Sequence, residues 1–173
     1  MKAMILAGGF STRLKNIVGD TPKPMALIAG KPFLEYQLQL LKESGITDIV
    51  LCVHFMANKI KSYFGDGKRF GVNITYSEEE MPLGTGGAIK FAEKYIKDHF
   101  LVLNGDTFSD IDLNKFLSFH KSKNSNFSMA LVNHRDSERY ENVLIENDKI
   151  VDFIEKGKGG TGLISIGCYI FEP

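Results

Sequence analysis

Strand-like and helix-like segments alternate along the first two thirds of the chain, and this alternation restricts the fold more than any other feature. The apolar pattern predicts a strand over 2–6 and a helix over 33–44, with Phe33, Tyr36, Gln37, Leu40 and Leu41 on one face and Gly45 just past its end. A strand over 48–53, a helix over 56–64 (Met56, Ile60, Tyr63, Phe64) and a strand over 73–77 follow. Next come a helix over 85–96, with Ala88, Phe91, Ala92, Tyr95 and Ile96 at three-to-four spacing, and a strand over 100–104. That strand is almost wholly apolar, as expected when both faces are covered. After a helix over 112–122 the pattern changes, and 127–133, 143–145, 150–155 and 162–171 all read as strands. Repeated βαβ units imply a parallel, doubly wound sheet, and the later strands make it mixed. The expectation is an α/β, Rossmann-like fold, mostly parallel, in a single domain spanning 1–173.

Composition removes several function classes. Lys+Arg and Asp+Glu both number 21, so the net charge is zero, which argues against nucleic-acid and membrane partners. The apolar start Ala3–Ala7 is too short for a signal-peptide core or a membrane span. A cytoplasmic protein is expected. Cys52 and Cys168 each stand inside an apolar run and read as buried reduced thiols.

Four segments carry chemistry, each at the end of a strand or the start of a helix. In doubly wound sheets, ligands bind at the carboxyl ends of the strands. First, the strand ending at Leu6 empties into Ala7-Gly8-Gly9-Phe10-Ser11-Thr12-Arg13. Gly8 and Gly9 lack a Cβ, so their backbone can approach a ligand closely. Thr12 offers a donor, and Arg13 a rigid fork of donors suited to phosphate. Second, in Thr21-Pro22-Lys23-Pro24-Met25 two prolines stiffen the backbone around one lysine. This suits an ammonium aimed at a fixed phosphate; a rigid turn with a solvated lysine is the plainer alternative.

Third, Pro82-Leu83-Gly84-Thr85-Gly86-Gly87-Ala88 puts small residues at a helix N-terminus, a surface for an anion or a base edge. Fourth, Asn104-Gly105-Asp106 closes a strand with a carboxylate, a good ligand for Mg²⁺, which takes one or two protein carboxylates and completes its shell with phosphate and water. Asp110 and Asp112 are better placed to cap the next helix. Gly157, Gly159 and Gly162 match a dinucleotide pattern, but a strand follows them where a helix is required. No Ser/His/Asp or Cys/His set emerges. A reaction whose nucleophile is an ionised phosphate oxygen needs only positioning and charge neutralisation.

The order Leu6-Ala7-Gly8-Gly9-x-x-Thr12-Arg13-Leu14, Pro22-Lys23-Pro24-Met25, Pro82–Ala88, Asn104-Gly105-Asp106, Glu155-Lys156 resembles the sugar-1-phosphate nucleotidyltransferases from end to end. Pro82–Ala88 and Tyr140-Glu141-Asn142-Val143 favour the heptose- and mannose-1-phosphate guanylyltransferase branch. The resemblance implies the nucleotide-diphospho-sugar transferase type of fold, with an NTP (GTP favoured), a sugar 1-phosphate and Mg²⁺ as ligands. Assembly into a homo-oligomer is compatible with it. It also implies that the nucleotide lies along Leu6, Ala7, Gly8, Gly9, Ser11 and Thr12, and along Pro82, Gly84, Thr85, Gly86, Asn104 and Gly105. Arg13 is then set on the β- and γ-phosphates, Lys23 at the α-phosphate and Asp106 on the metal. Tyr140, Glu155, Lys156 and Gly167 face the sugar phosphate.

Two departures stand out. Ser11 occupies a position where the family usually has glycine. The chain also ends two residues after a strong strand, which suggests missing sequence carrying the family's second metal-binding aspartate. A nucleotide- or sugar-phosphate-binding homologue without turnover is therefore the alternative, as is the same reaction with another NTP. A nicotinamide-dependent enzyme is disfavoured, because no dinucleotide fingerprint follows the first strand.

Overall fold

The computed structural model describes residues 1–9, 21–157 and 160–173. Among them, four helices pack against a large mixed sheet of eight strands. Strands β1 (Lys2–Leu6), β4 (Asp48–Val53), β5 (Asn73–Glu78) and β6 (Phe100–Asn104) run parallel in the order β5-β4-β1-β6. Next to β6 lies antiparallel β10 (Gly162–Phe171), a ten-residue strand that also pairs with β7 (Phe127–His134) and β8 (Asn142–Glu146); β9 (Lys149–Ile154) closes that edge. Two short strands, β2 (Leu27–Ile28) and β3 (Lys31–Pro32), form a separate hairpin.

Both faces of the parallel strands are covered. On one, Ala3 and Ile5 of β1 join Leu34, Leu38 and Leu41 of helix α1 (Phe33–Glu43), Ala57, Ile60 and Phe64 of α2 (Ala57–Phe64), and Leu113 of α4 (Leu113–Lys123). On the other, Met4, Val50 and Val102 meet Ala88 and Ala92 of α3 (Gly84–Ala92). Alternate β1 residues face opposite ways, so every residue from Ala3 to Ile5 is fully buried.

The helix ends follow local chemistry. Gly45 takes φ 77° after α1, and the Ile46 N–H reaches back to the Leu41 carbonyl at 2.8 Å. Asp112 caps α4 as expected, accepting from the Lys115 N–H at 3.0 Å, and this bond holds its carboxyl below the usual range.

Three expectations need adjusting. The sheet-facing stripe of α1 is Leu34, Gln37, Leu38 and Leu41; Phe33, Tyr36 and Leu40 sit at its margins, half-buried. The helix expected over 85–96 is α-helical only to Ala92 and ends in a 3₁₀ turn over Glu93–Tyr95, with Phe91 exposed. The β2–β3 hairpin was not expected at all. As expected, Cys52 and Cys168 are buried and unbridged, and burial pushes each thiol up to about 12; a nearby carboxylate, Glu79, adds to the effect at Cys52.

Candidate active site

The loops after β1, β4, β5 and β6 meet at the carboxyl ends of the four parallel strands. The strand ends stay bonded to one another past the ladder. Ala7 N–H donates to the Cys52 carbonyl (2.8 Å), Glu79 N–H to that of Val53 (2.9 Å), and Gly105 N–H to that of Leu6 (3.0 Å). Gly105 is required by this contact, since a Cβ there would stand 2.5 Å from the Leu6 oxygen.

Between these loops and α3 lies a cavity of about 380 Å³. Ten of the expected site residues line it: Leu6, Gly8, Gly9, Lys23, Pro82, Gly84, Thr85, Asn104, Gly105 and Asp106. The sequence motifs therefore converge in space. Ala7 is buried in the core beside them, and Gly86 lines a neighbouring apolar cavity between α3 and Phe100, Phe127, Tyr169 and Phe171 of the sheet. The expected roles of Ser11, Thr12 and Arg13 fall outside the described residues.

The lysine of the proline-flanked segment is held in a 3₁₀ turn over Lys23–Met25. The Met25 N–H donates to the Pro22 carbonyl (2.8 Å), and Pro24 is buried. This turn delivers the Lys23 ammonium to Asp106, where Nζ donates to Oδ2 at 2.6 Å. The two side chains are 30% and 43% exposed. An ion pair that wet contributes little to stability, so stability alone does not account for its place on the cavity.

Glu79, not singled out from the sequence, lines the same cavity and is 7% exposed. Its Oε2 accepts from the Leu83 N–H at 3.1 Å, and its backbone carbonyl lies 2.8 Å from His54 Nδ1. Gly84 then opens α3 in the left-handed region, at φ 70°. The turn from β5 into α3 is thereby folded back over the cavity by the carboxylate of its own first residue.

The residues expected at the sugar phosphate form a second group. In the antiparallel β8–β9 ladder Asn142 stands opposite Ile154, which brings Tyr140 and Glu155-Lys156 to the same end. Gly157 N–H donates to the Glu138 carbonyl (2.8 Å), and Ser137 N–H to that of Gly160 (2.8 Å), tying this end together. None of Tyr140, Glu155 and Lys156 lines the cavity. Gly167 links the two regions. It bends β10 at φ 69°, and a Cβ there would meet Asn104 at 2.6–2.9 Å.

Of the two carboxylates on the cavity, Glu79 is engaged by the Leu83 N–H, and Asp106 alone beside Lys23 suits a Mg²⁺ ion held mainly by water and substrate phosphates, not one caged by protein. Among the described residues, no three His, Cys, Asp or Glu side chains group closely enough to form such a cage.

A doubly wound sheet with glycine loops, a lysine and a carboxylate at its carboxyl end defines a nucleotide-handling protein. The chain belongs to the nucleotidyl transferase family, whose sequence pattern matches residues 2–173. It is 47% identical over 171 residues to the D-glycero-α-D-manno-heptose 1-phosphate guanylyltransferase of Campylobacter jejuni, an alignment covering 98% of this chain and 75% of the relative. It is 39% identical to the mannose-1-phosphate guanylyltransferase of Mycobacterium tuberculosis, of which it spans 48%. The fold superposes with a TM-score of 0.86 on crystalline HddC from Yersinia pseudotuberculosis complexed with GMP-PN, at 39% identity, covering 99% of this chain and 76% of that one. The family match, like the mixed sheet, agrees with the resemblance carried by the sequence motifs.

Proposed function

We propose that the protein transfers a nucleotidyl group from an NTP, with GTP favoured, to a heptose- or mannose-type sugar 1-phosphate, releasing pyrophosphate. The observation that carries this reading is the Lys23–Asp106 pair in the cavity between the β1 loop and α3. The guanylyltransferase names of the relatives support the choice of substrates.

An ionised oxygen of the sugar phosphate attacks the α-phosphorus in line. A phosphorus–oxygen bond forms there as the bond to the bridging oxygen of the β-phosphate breaks, and the electron pair leaves with pyrophosphate. The nucleophile is already ionised near neutral pH, so no protein base is needed. Catalysis then rests on positioning and charge neutralisation.

Lys23 neutralises charge at the α-phosphate. Arg13 holds the β- and γ-phosphates, a role that rests on its place in the motif. Asp106 would hold Mg²⁺ together with the nucleotide phosphates, and the ion would supply charge withdrawal from the phosphate oxygens. Gly8, Gly9, Gly84 and Thr85 leave room for the nucleoside. Tyr140, Lys156 and Glu155 receive the sugar phosphate at the end of the β8–β9 ladder. A cytoplasmic setting, where NTPs are made and held, fits this chemistry.

Glu79 supports guanine as the base. Guanine presents an N1–H and an exocyclic NH₂ on one edge, and a carboxylate accepts on both oxygens. Only Oε2 of Glu79 is engaged by Leu83. A thermal-shift panel of the four NTPs with Mg²⁺ tests the base, since a ligand that binds only the folded state raises the midpoint. GTP is expected to give the largest shift. An equal or larger shift with ATP, CTP or UTP contradicts the assignment.

A further inference from the structure

Gln37 stands in the middle of α1 among Leu34, Leu38 and Leu41, on the face packed against the sheet, and is 1% exposed. A buried amide on an apolar stripe costs stability unless it is satisfied. Its Nε2 donates twice, to the carbonyls of Asn104 and Thr107, each at 2.8 Å. Those two carbonyls bracket Asp106. Its Oε1 has no partner among the described residues. Methionine would fill nearly the same volume without burying an unpaired acceptor, so packing alone does not account for glutamine here.

Among the described residues, the other hydrogen bonds of the turn that carries Asp106 are few, and one of them, from Thr107 Oγ1 to Asp106 Oδ1, is long at 3.4 Å. Gly105 N–H is held by Leu6, but the Thr107 N–H reaches the Asn104 carbonyl only at 3.4 Å. The Lys23–Asp106 pair is too exposed to fix the turn unaided.

We propose that Gln37 is a positioning residue, which clamps both ends of the Asn104–Thr107 turn so that Asp106 faces Lys23 and the nucleotide cavity. The proposal concerns the reaction inferred above and rests on that reading for its catalytic consequence. Its structural half stands on the two hydrogen bonds alone. A misplaced catalytic group costs rate without removing the bulk of substrate binding, so the effect falls on kcat.

The test is Gln37→Met, read in two ways. By hydrogen exchange, the Gly105–Phe108 amides are expected to exchange about tenfold faster than in the wild type, while Phe100–Leu103 stays unchanged. By steady-state pyrophosphate release, kcat is expected to fall on the order of tenfold or more, with KM for the NTP within about twofold. In an Asp106→Asn background, Gln37→Met is expected to remove no further activity. Unchanged exchange in the turn overturns the proposal, as does an unchanged kcat, a KM rise in its place, or full additivity with Asp106→Asn. If the wild type releases no pyrophosphate, the functional reading fails, and the exchange measurement still decides the clamp. Should the Met variant fail to fold, Gln37→Asn keeps the amide one methylene short of both carbonyls, and the same outcomes apply.

Discussion

Lys23 Nζ and Asp106 Oδ2 lie 2.6 Å apart although 83 residues separate them in the chain. One sits on a proline-stiffened turn and the other at the end of β6, and each keeps substantial exposure to the cavity. Since an exposed pair contributes at most about 1 kcal/mol, Lys23→Met is expected to leave the melting temperature within a few degrees of the wild type. Turnover, by contrast, is expected to fall on the order of 10²-fold, the magnitude of losing one charge-stabilising donor. Calorimetry and a pyrophosphate-release assay on the same sample check both halves.

Glu79 offers its carboxylate to the same cavity. Glu79→Gln replaces one acceptor oxygen by a donor NH₂, which would face the guanine donors. GTP affinity is expected to drop roughly 10–100-fold, the scale of a hydrogen bond to a charged group, while ATP affinity changes little. Isothermal titration with both nucleotides reads the ratio.

Two glycines separate fold from site. Gly105→Ala drives a Cβ to 2.5 Å from the Leu6 oxygen and is expected to cost about 1–3 kcal/mol, seen as a lowered denaturation midpoint. Gly86→Ala meets nothing within 4 Å inside α3 and is expected to stabilise by up to about 1 kcal/mol. The motif reading predicts that the same substitution weakens nucleotide binding, whereas the place of Gly86 on the neighbouring cavity predicts no change. A Gly86→Ala protein that is more stable and binds GTP as well as the wild type would remove Gly86 from the site.

Burial pushes the Cys52 and Cys168 thiols up to about 12 from an ordinary value of 9.0. Both therefore stay protonated in the folded protein at neutral pH, and alkylation of the native chain is expected to be slow until unfolding exposes them. Between pH 9 and about 12 the unfolded chain has released these protons while the folded chain retains them. The unfolded state then binds fewer protons, so these groups lower stability as pH rises through that window. Cys52→Ala and Cys168→Ala proteins are expected to show a shallower alkaline decline in denaturant midpoint.

Much of this architecture is legible in the sequence. β1, β4, β6 and β10 fall where the sequence carries near-continuous apolar runs, because burial on both faces selects apolar residues at successive positions. The loops that line the cavity were legible because glycine, proline, lysine and aspartate at strand ends have few other uses. The β2–β3 hairpin was not, because Ala29 (φ 47°) precedes Gly30 where asparagine would have signalled the turn. Glu79 was hidden in the run Glu78-Glu79-Glu80, which reads as a solvated charge cluster. The alternation of β5 gave no signal for it, because apolar Ile74 and Tyr76 share their parity with Glu78 and Glu80, whereas Glu79 follows Asn73, Thr75 and Ser77. Gln37 was placed on the correct helix face, but the two carbonyls it clamps are 67 and 70 residues away, and no local pattern reports them.

Everything proposed for this protein turns on nucleotidyl transfer at the Lys23–Asp106 cavity. The most direct test incubates the protein with GTP, Mg²⁺ and a panel of heptose and hexose 1-phosphates, reading pyrophosphate by coupled assay and the sugar product by mass. Stoichiometric pyrophosphate and a GDP-sugar are expected with at least one heptose- or mannose-type substrate, both abolished by Arg13→Ala and Asp106→Asn. GTP binding without any GDP-sugar across the panel, or product formation that survives both substitutions, would contradict it.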